Sequence, residues 1–560
     1  MLLDARQAGP ATAGAHPDRR LRTRWALATA VVGGALLFCA FPPINAWPLA
    51  PVGVALLVVA VAGQRMRTAA GIALVFSLVF FGLLVRWLSG NIGLLPWVAL
   101  SVAESLLLAA MTAPLPLLLR LRGRVPLIAL WWTATEAVRS RLPLGGFPWG
   151  RLAFSQADSP ALGWARVAGA PAVTFVVALV GAAIAGLVLA PPTTRRRLFA
   201  AGWCVVALAV SPAIPLPSAA GSSPTAADKT ASGNSISADK TAAGSSTAVL
   251  SLVQGNVPRE RSLAEQARIQ QVTSNHADAT LKLAQDIHTG KVPQPDLVLW
   301  PENSTDSEPR TDPALSFLID QSVAAVNRPI LVGAILDGPQ GQTYNAGLLW
   351  DPLNGPGPWY AKRQLVPFGE YIPLRSLFGG LGDLQLIPRN FTPGSQTVIF
   401  NTGNIHLSDV ICYEIGYDGL VRDGVRAGAN LLVEQTNDAA FTRDGSPDET
   451  DQQLAMARLR AVEHNRSVAV VSTTGVSAVI RPDGTVAAQT GLWQQQTLTE
   501  RVPLRTGLTL ADRVGAWPEA GALTATVAAL AWAALRSRLG RSRKGRRSAA
   551  AGSAEAGVQG

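Results

Sequence analysis

Several residue types are scarce in this sequence, and each shortage excludes a class of protein. Only 15% of the 560 residues are charged, whereas soluble domains contain about 25%. Three cysteines are too few for a disulfide framework. The chain has five histidines, and its polar part has no His/Cys cluster at ligand spacing. No metal is therefore predicted, and no cofactor is predicted either. With 48% hydrophobic residues and a mean hydropathy of +0.24, the composition indicates a membrane protein.

The net charge of +11 does not predict nucleic-acid binding, because the arginines lie in short clusters between apolar runs and not on one domain. Several of these runs approach the roughly 20 residues that cross a bilayer. They lie at about 25–41, 46–63, 69–88, 95–119, 125–140, 166–190, 198–216 and 516–535.

The arginine clusters fall on one side of the membrane if every apolar run spans it, and that side is cytoplasmic. Residues 1–24 and the basic tail 536–560 are therefore predicted to be cytoplasmic, and the region between the last two runs extracytoplasmic. Arg139 and Arg141 lie on the opposite side, which is an objection unless they serve a site that faces lipid headgroups.

Two glutamates, Glu104 and Glu136, lie inside apolar runs, where a charged side chain is costly. Either they help to bring lipid substrates to the protein, or they satisfy contacts within the helix bundle. The sequence leaves both interpretations open.

These patterns divide the chain into membrane and polar parts. Residues 25–217 are predicted to form a transmembrane domain of about seven helices, and 516–535 a final transmembrane helix. Residues 218–247, rich in Ser, Ala, Gly and Thr, indicate a flexible linker. Residues 248–505 alternate short β-rich runs with helical stretches, which predicts an α/β domain.

Three segments of this polar domain carry residues suited to catalysis. DLVLWPE ends at Glu302, WYAKRQLVPFGEYIP contains Lys362 and Glu370, and DVICYE contains Cys412 and Glu414. Each residue alone also has a structural interpretation, since a lone Glu or Lys is usually solvated and a lone Cys is usually an inert core residue. Spacing alone does not decide whether Cys412 is a nucleophile.

Taken together, in the order Glu, Lys, Cys, these segments resemble the nitrilase superfamily. With membrane runs on both sides, the resemblance narrows to its membrane-embedded branch, the apolipoprotein N-acyltransferases, and it implies an αββα sandwich for the polar domain. The motifs that carry it are WPE at 300–302, YAKRQLVPFGEY at 360–371, ICYE at 411–414, GFPWGRLAFSQ at 146–156, VQGN at 253–256, YNA at 344–346, MARLRAVEHNR at 456–466 and TGVSAVI at 474–480.

The resemblance implies a catalytic triad of Glu302, Lys362 and Cys412. The residue types suit acyl transfer, because the thiolate is the attacking species and a thiol near pKa ~8.5 needs a base at neutral pH. Glu302 is the expected base. Lys362 is the expected partner of the oxyanion that forms when an ester is attacked.

Three further residues are expected to support the triad: Glu370, Glu414 and Tyr413. The two carboxylates are expected to orient Lys362 or the incoming amine. One motif departs from the family. The family loop commonly has the sequence NDAWFG, whereas this chain has NDAAFT at 437–442, with Ala440 in place of the tryptophan. That loop borders the active site in relatives, so acyl-chain preference is expected to differ.

The implied reaction moves an acyl chain from a phospholipid, through a cysteine thioester, to the α-amine of a diacylglyceryl-cysteine on a bacterial lipoprotein. The expected setting is the cell membrane, with the catalytic domain outside the cytoplasm. Two alternatives remain. A membrane-tethered amidohydrolase would pass the acyl group to water, and a non-catalytic scaffold would anchor a polyprenol-phosphate glycosyltransferase; the complete triad argues against the scaffold.

Overall fold

The computed structural model describes residues 20–190, 195–217, 246–258, 265–373, 375–378 and 390–556. The predicted cytoplasmic N-terminus and the predicted linker therefore lie almost wholly outside the described residues.

Helices occupy the membrane part of the chain, and each of the eight apolar runs contains one. Their buried alanine, valine, leucine and phenylalanine side chains belong to one apolar core. The first nine helices are α1 (Thr23–Cys39), α2 (Leu49–Val61), α3 (Met66–Leu84), α4 (Trp87–Asn91), α5 (Leu94–Thr112), α6 (Leu115–Leu118), α7 (Arg124–Arg139), α8 (Ala165–Leu189) and α9 (Arg195–Val210).

Length and composition allow four of the described helical segments to cross a bilayer: Met66–Leu84, Leu94–Leu118, Pro160–Leu189 and Trp517–Leu539. Helices α1 and α2 are apolar but shorter, at 17 and 13 residues. The chain is thus a membrane protein by its helices. The count of about seven spans before the polar domain stays a prediction.

The polar domain contains two mixed six-stranded sheets. The first holds β1 (Thr247–Gln254), β2 (Leu297–Leu299), β3 (Ile330–Asp337), β4 (Thr343–Asp351) and β5 (Gly355–Ala361). The second holds β6 (Ile399–Thr402), β7 (Ile405–Ile411), β8 (Leu431–Thr436), β9 (Ser467–Ser472), β10 (Ala478–Ile480) and β11 (Val486–Gln489). The last strand, β12 (Gln496–Pro503), returns to the first sheet and pairs with β1, giving the order β12-β1-β2-β3-β4-β5.

Helices cover the outer face of each sheet. On the first sheet lie α10 (Glu265–His288) and α11 (Pro313–Val326), with a separate apolar core beneath them. The short α12 (Arg375–Phe378) follows, and α13 (Asp418–Arg426) and α14 (Asp448–His464) cover the second sheet. The inner faces meet where Gln435 Nε2 donates to Trp300 O. The predicted αββα sandwich is therefore confirmed.

The chain returns to the membrane part through α15 (Leu510–Val514) and α16 (Trp517–Ala556). Helix α16 packs against α7. It is continuous for 40 residues, so the predicted membrane helix 516–535 and most of the predicted tail form one helix.

Candidate active site

Cys412 lies at a sharp turn at the end of β7. The strand ends at Ile411, and Cys412 has a φ of 54°, in the left-handed region, before a 3₁₀ helix runs from Cys412 to Gly416. Residues other than glycine rarely adopt this conformation, and where they do it is often at a functional site. Only 8% of Cys412 is exposed. The turn presents the thiol at the carboxyl end of a strand that runs parallel to its neighbour β8.

Glu302 and Lys362 follow strands of the first sheet. Pro301 ends the segment after β2, and Lys362 comes directly after β5. Lys362 Nζ lies 3.1 Å from Glu302 Oε1 and 3.1 Å from Glu370 Oε1. All three side chains are buried or nearly so, and the lysine therefore sits between two carboxylates with little water.

Asn345 holds these carboxylates together. Its Nδ2, on β4, donates to Glu302 Oε1 at 2.6 Å and to Glu370 Oε1 at 2.8 Å. The backbone N–H of Asn437 donates to Glu302 Oε2 at 3.0 Å, and that of Val366 donates to Glu370 Oε2 at 2.8 Å. The YNA motif marks the position of Asn345, but its role is not evident from the sequence.

Electrostatics couple the three predicted catalytic residues. Burial alone would lower the pKa of Lys362, but Glu302 and Glu370 outweigh it and raise that pKa well above its usual value. Burial raises the pKa of Glu302 despite Lys362. Burial, with the nearby Glu302, also raises the pKa of Cys412 well above its usual value, and Lys362 opposes that shift. The thiol therefore keeps its proton until a base removes it.

Glu414 makes its hydrogen bonds with Tyr360 and the backbone, and its charge also raises the pKa of Lys362; its expected role in orienting Lys362 or the incoming amine stays a prediction. Its fully buried carboxylate accepts hydrogen bonds from the Tyr360 hydroxyl and from the backbone N–H groups of Arg363, Gln364 and Ile411, at 2.6–3.0 Å. Every one of these donors flanks either Lys362 or Cys412. Glu414 thus ties the segment after β5 to the end of β7.

Tyr413 faces the membrane part of the protein. Its hydroxyl donates to Gly146 O at 2.9 Å, and its ring stacks on Phe147 and Trp149 with centroids 6.2 Å apart. Tyr413 therefore attaches the turn at Cys412 to the loop between α7 and α8. This loop carries the GFPWG motif.

The NDAAFT loop reaches from Glu302 toward the membrane helices. Asn437 at its start donates to Glu302, and the Phe441 ring meets the Trp87 ring edge-on at 5.0 Å. Ala440 is partly exposed between them. The loop thus borders the candidate site, as the resemblance implied.

A buried set of charges, the junction cluster, connects the catalytic domain to the membrane helices. Arg151 lies 2.9 Å from Asp418, 3.3 Å from Glu519 and 3.7 Å from Glu136. Arg460 on α14 lies 2.7 Å from Asp418 and 2.5 Å from Glu463. The cluster consists of Glu136, Arg151, Asp418, Arg460, Glu463 and Glu519.

The two intramembrane glutamates are bound inside the protein. Arg139 pairs with Glu104 at 3.0 Å and donates to the carbonyls of Phe147 and Trp149. Arg139 is 2% exposed, so the headgroup-facing site suggested for it is wrong. Glu136 accepts from Trp132, Leu152 and Thr174. For both glutamates, contacts within the protein are the interpretation that the structure supports.

Two cavities flank this region. A polar one of about 500 Å³ is lined by residues including Arg141, Gln364, Tyr417 and Glu519, and an apolar one of about 360 Å³ lies between α7, α8, α9 and α16. Neither is lined by Cys412. Among the described residues, no group of three or more His, Cys, Asp or Glu could hold a metal ion.

Comparisons with known proteins cover both parts of the chain. Residues 33–183 match the apolipoprotein N-acyltransferase N-terminal domain, and residues 264–508 match the carbon-nitrogen hydrolase family. A relative named apolipoprotein N-acyltransferase from Mycolicibacterium smegmatis is 35% identical over 90% of this chain and 84% of its own. A protein of the same name from Haemophilus ducreyi is 27% identical over 86% of this chain and 92% of its own. The crystal structure of an amidase from Nesterenkonia sp. is similar, with 20% identity, 46% of this chain and 90% of that chain covered, and a TM-score of 0.33.

Proposed function

This chain belongs to the apolipoprotein N-acyltransferase family, and from that premise we propose that Cys412 is the nucleophile that carries the acyl chain. Glu302 is the general base and Lys362 the cation that stabilises the oxyanion. Glu370 and Asn345 position these two groups, and Glu414 and Tyr413 position the turn at Cys412.

The observation that carries this proposal is the placement of Lys362 Nζ 3.1 Å from both Glu302 and Glu370, with its charge acting on Cys412. A lysine with a purely structural role would not require two neighbouring carboxylates, a buried thiol and the hydrogen bonds of Asn345 around it. A site that stabilises a transient negative charge does require such neighbours, because preorganised groups in a site without water need not reorganise when the charge forms.

In the first half-reaction, Glu302 takes the Cys412 proton as sulfur attacks the ester carbonyl of a phospholipid. The carbonyl oxygen becomes an oxyanion that Lys362 stabilises. When the C–O bond of the ester breaks, the proton held by Glu302 passes to the departing oxygen. The products are a lysophospholipid and a thioester on Cys412.

In the second half-reaction, the α-amine of a diacylglyceryl-cysteine attacks the thioester. Glu302 receives a proton from the amine, the C–N bond forms and the C–S bond breaks. Glu302 passes that proton to the leaving sulfur, which restores the starting enzyme. One base and one cation thus serve both steps, and ping-pong kinetics follow.

The proposed setting places residues 218–515 outside the cytoplasm, as the arginine clusters favour. A single cysteine at Ser232 should react with a membrane-impermeant thiol reagent in intact cells. A matched cysteine at Ser548, in the basic tail, should react only after lysis. Labelling of Ser548→Cys but not of Ser232→Cys in intact cells would reverse the proposed orientation.

The test of the chemistry is the mass of the purified protein after incubation with phospholipid alone. We expect an acyl adduct on Cys412 with release of lysophospholipid, and loss of the adduct when a diacylated lipopeptide is added. Cys412→Ala should abolish loading. Acylation of the lipopeptide by the Cys412→Ala protein would refute the assignment.

The same experiment distinguishes the alternatives. An amidohydrolase would lose the adduct to water at a rate that the lipopeptide does not change. A scaffold for a glycosyltransferase would never load.

A further inference from the structure

Asp409 is a buried carboxyl that the mechanism above does not use. It lies on β7, three residues before Cys412, and is 2% exposed. Neither of its oxygens has a hydrogen-bond partner among the described residues. The neighbouring N–H of Val410 acts on the carboxyl but lies outside hydrogen-bond geometry. A buried carboxyl without partners is costly, so this arrangement needs a physical reason.

A second unsatisfied oxygen lies beside it. Gln435 Oε1, on β8, also has no partner among the described residues. Both groups point at Gly347 on β4, where a side chain would collide first with Asp409 Oδ2 and then with Gln435 Oε1. The amide nitrogen of Gln435 is already used, because Nε2 donates to Trp300 O at 2.5 Å.

Rotating the Gln435 amide does not give every one of these acceptors a donor. If Oε1 and Nε2 exchanged places, Nε2 would donate to Asp409, but Oε1 would then face the carbonyl of Trp300, which is also an acceptor. In either orientation a buried acceptor lacks a donor unless a proton is added. A carboxylic acid at Asp409 supplies that proton to Gln435 Oε1, while Gln435 Nε2 keeps its bond to Trp300 O.

We propose that Asp409 is a protonated positioning residue for the catalytic centre, donating to Gln435 Oε1 while Gln435 Nε2 donates to Trp300 O. This relay runs from β7, three residues before Cys412, through β8 to the segment two residues before Glu302. It crosses between the sheets beneath the site and sets the separation of nucleophile and base. The inference rests on the proposed roles of Cys412 and Glu302.

The surroundings of Asp409 favour the protonated form. Burial raises the pKa of Asp409 well above its usual range, and the carboxyls of Glu414 and Glu302 raise it further. The charge of Asp409 also interacts with Tyr360 on β5 and Glu434 on β8. None of these four groups is a cation. The absence of a side chain at Gly347 provides the space for the relay.

Two substitutions of similar size separate the relay from simple packing. Asp409→Asn keeps a donor for Gln435 Oε1, and we expect its loading by phospholipid to stay within about threefold of the unsubstituted protein. Asp409→Leu removes the donor, and we expect loading to fall by about 10- to 100-fold, because small misplacements of catalytic groups have effects of that size. The control Val410→Ala deletes buried methyl groups elsewhere on β7 and should lower thermal stability without a comparable loss of loading.

Two measurements do not depend on acyl transfer, so failure of the proposed function would not be mistaken for failure of this inference. The infrared difference between the unsubstituted protein and Asp409→Asn at neutral pH should contain the band of a protonated carboxylic acid. The alkylation rate of Cys412 by iodoacetamide, followed by peptide mass mapping, should fall in Asp409→Leu and not in Asp409→Asn. No such infrared band, or equal rates in the Asn and Leu variants, would overturn the proposal. If Asp409→Leu does not fold, the infrared comparison still decides.

Discussion

The junction cluster and the catalytic centre are both buried and both rich in carboxylates, but they differ in their cations. In the junction cluster two arginines contact four carboxylates, and every carboxylate has an arginine within 4 Å. Around Cys412, one lysine lies between two carboxylates, and Asp409 and Glu434 have no hydrogen-bond partner among the described residues.

The pKa shifts show what this difference does. Burial alone would raise the pKa of Asp418, but Arg151 and Arg460 outweigh it and hold that pKa well below its usual range. Burial raises the pKa of Glu302, Asp409 and Glu434, and too few cations oppose it. The arginines therefore keep Asp418 charged, whereas burial makes the carboxyls around Cys412 bind protons more readily than usual. Fixed charges can hold two domains together through ion pairs, whereas a bound proton can be transferred during a reaction.

The largest expected effect comes from removing Lys362, the proposed partner of the oxyanion. Lys362→Met should lower the rate of thioester formation by about 10²–10³, because the oxyanion loses its donor. The protein should still fold, since Glu302 and Glu370 can then share a proton. Single-turnover loading and a thermal melt in detergent measure the two effects. Normal loading in Lys362→Met would exclude the oxyanion role.

The matched change in the junction cluster should do the opposite. Arg460→Met removes the arginine that contacts Glu463 and one of the two arginines that contact Asp418. A buried charge that loses its partner typically lowers stability by about 3–5 kcal/mol. We expect a much lower melting temperature, with loading per folded molecule nearly unchanged. If the loading rate fell while the melting temperature stayed the same, the junction cluster would take part in catalysis. The proposed difference between the junction cluster and the catalytic centre would then be wrong.

A smaller effect concerns pH, where the two clusters should respond with opposite sign. Because the pKa of Asp418 is lowered, its stabilising contribution is present above about pH 4 and is lost as the pH falls through the lowered value. Because the pKa of Glu434 is raised, its protonated form favours the folded state. This contribution to stability is complete below about pH 4 and is lost as the pH rises through the raised pKa.

Melting temperatures of two variants test these signs. Glu434→Gln should gain stability over the unsubstituted protein, and more at about pH 8 than at about pH 5. The deficit of Asp418→Asn should instead shrink as the pH is lowered toward about 3. A Glu434→Gln protein with the same gain at both pH values would show that Glu434 does not titrate in this range.

The smallest expected effect lies in the loop between the two regions. Ala440→Trp restores a large apolar surface where the chain departs from its family, and aromatic rings of this size bury 150–250 Å² when packed. We expect a changed preference among acyl-chain lengths, with turnover of the best donor within about threefold. Competition between phospholipids of different chain length measures it, with Ala439→Trp as the control. An unchanged profile would mean that the loop does not contact the acyl chain.

Much of the architecture could be predicted from short apolar runs, because buried parallel strands are nearly continuous in Val, Ile and Leu. HLSDVICYE and NLLVEQTND are such runs; the first contains all of β7 except Ile405, and the second contains β8. Strand β5 was not predicted, since its sequence GPGPWYA carries the glycines and prolines of an edge strand. The position of Lys362 directly after a strand is therefore not evident from the sequence.

The candidate site was located by motifs, but its contacts depend on the distance between strands that are far apart in sequence. Asn345 carries a common residue type, and only the pairing of β4 with β3 and β5 places it beside Glu302 and Glu370. The contact of Asp409 is equally hard to predict from the sequence, because its proposed partner Gln435 lies on another strand. The environment of Arg139 cannot be read from its position along the chain, because its partner Glu104 lies on a different helix.

The ends of the catalytic domain lie side by side. Strand β1 pairs with β12 along its whole length, and Thr247, where the domain begins, is opposite Pro503, where it ends. The domain is thus an insertion into a helical bundle, entered and left at one place, so α16 can pack against α7 without distortion. During synthesis β1 remains an unpaired edge until β12 follows some 240 residues later. The domain is therefore completed late, shortly before its last membrane helix is made.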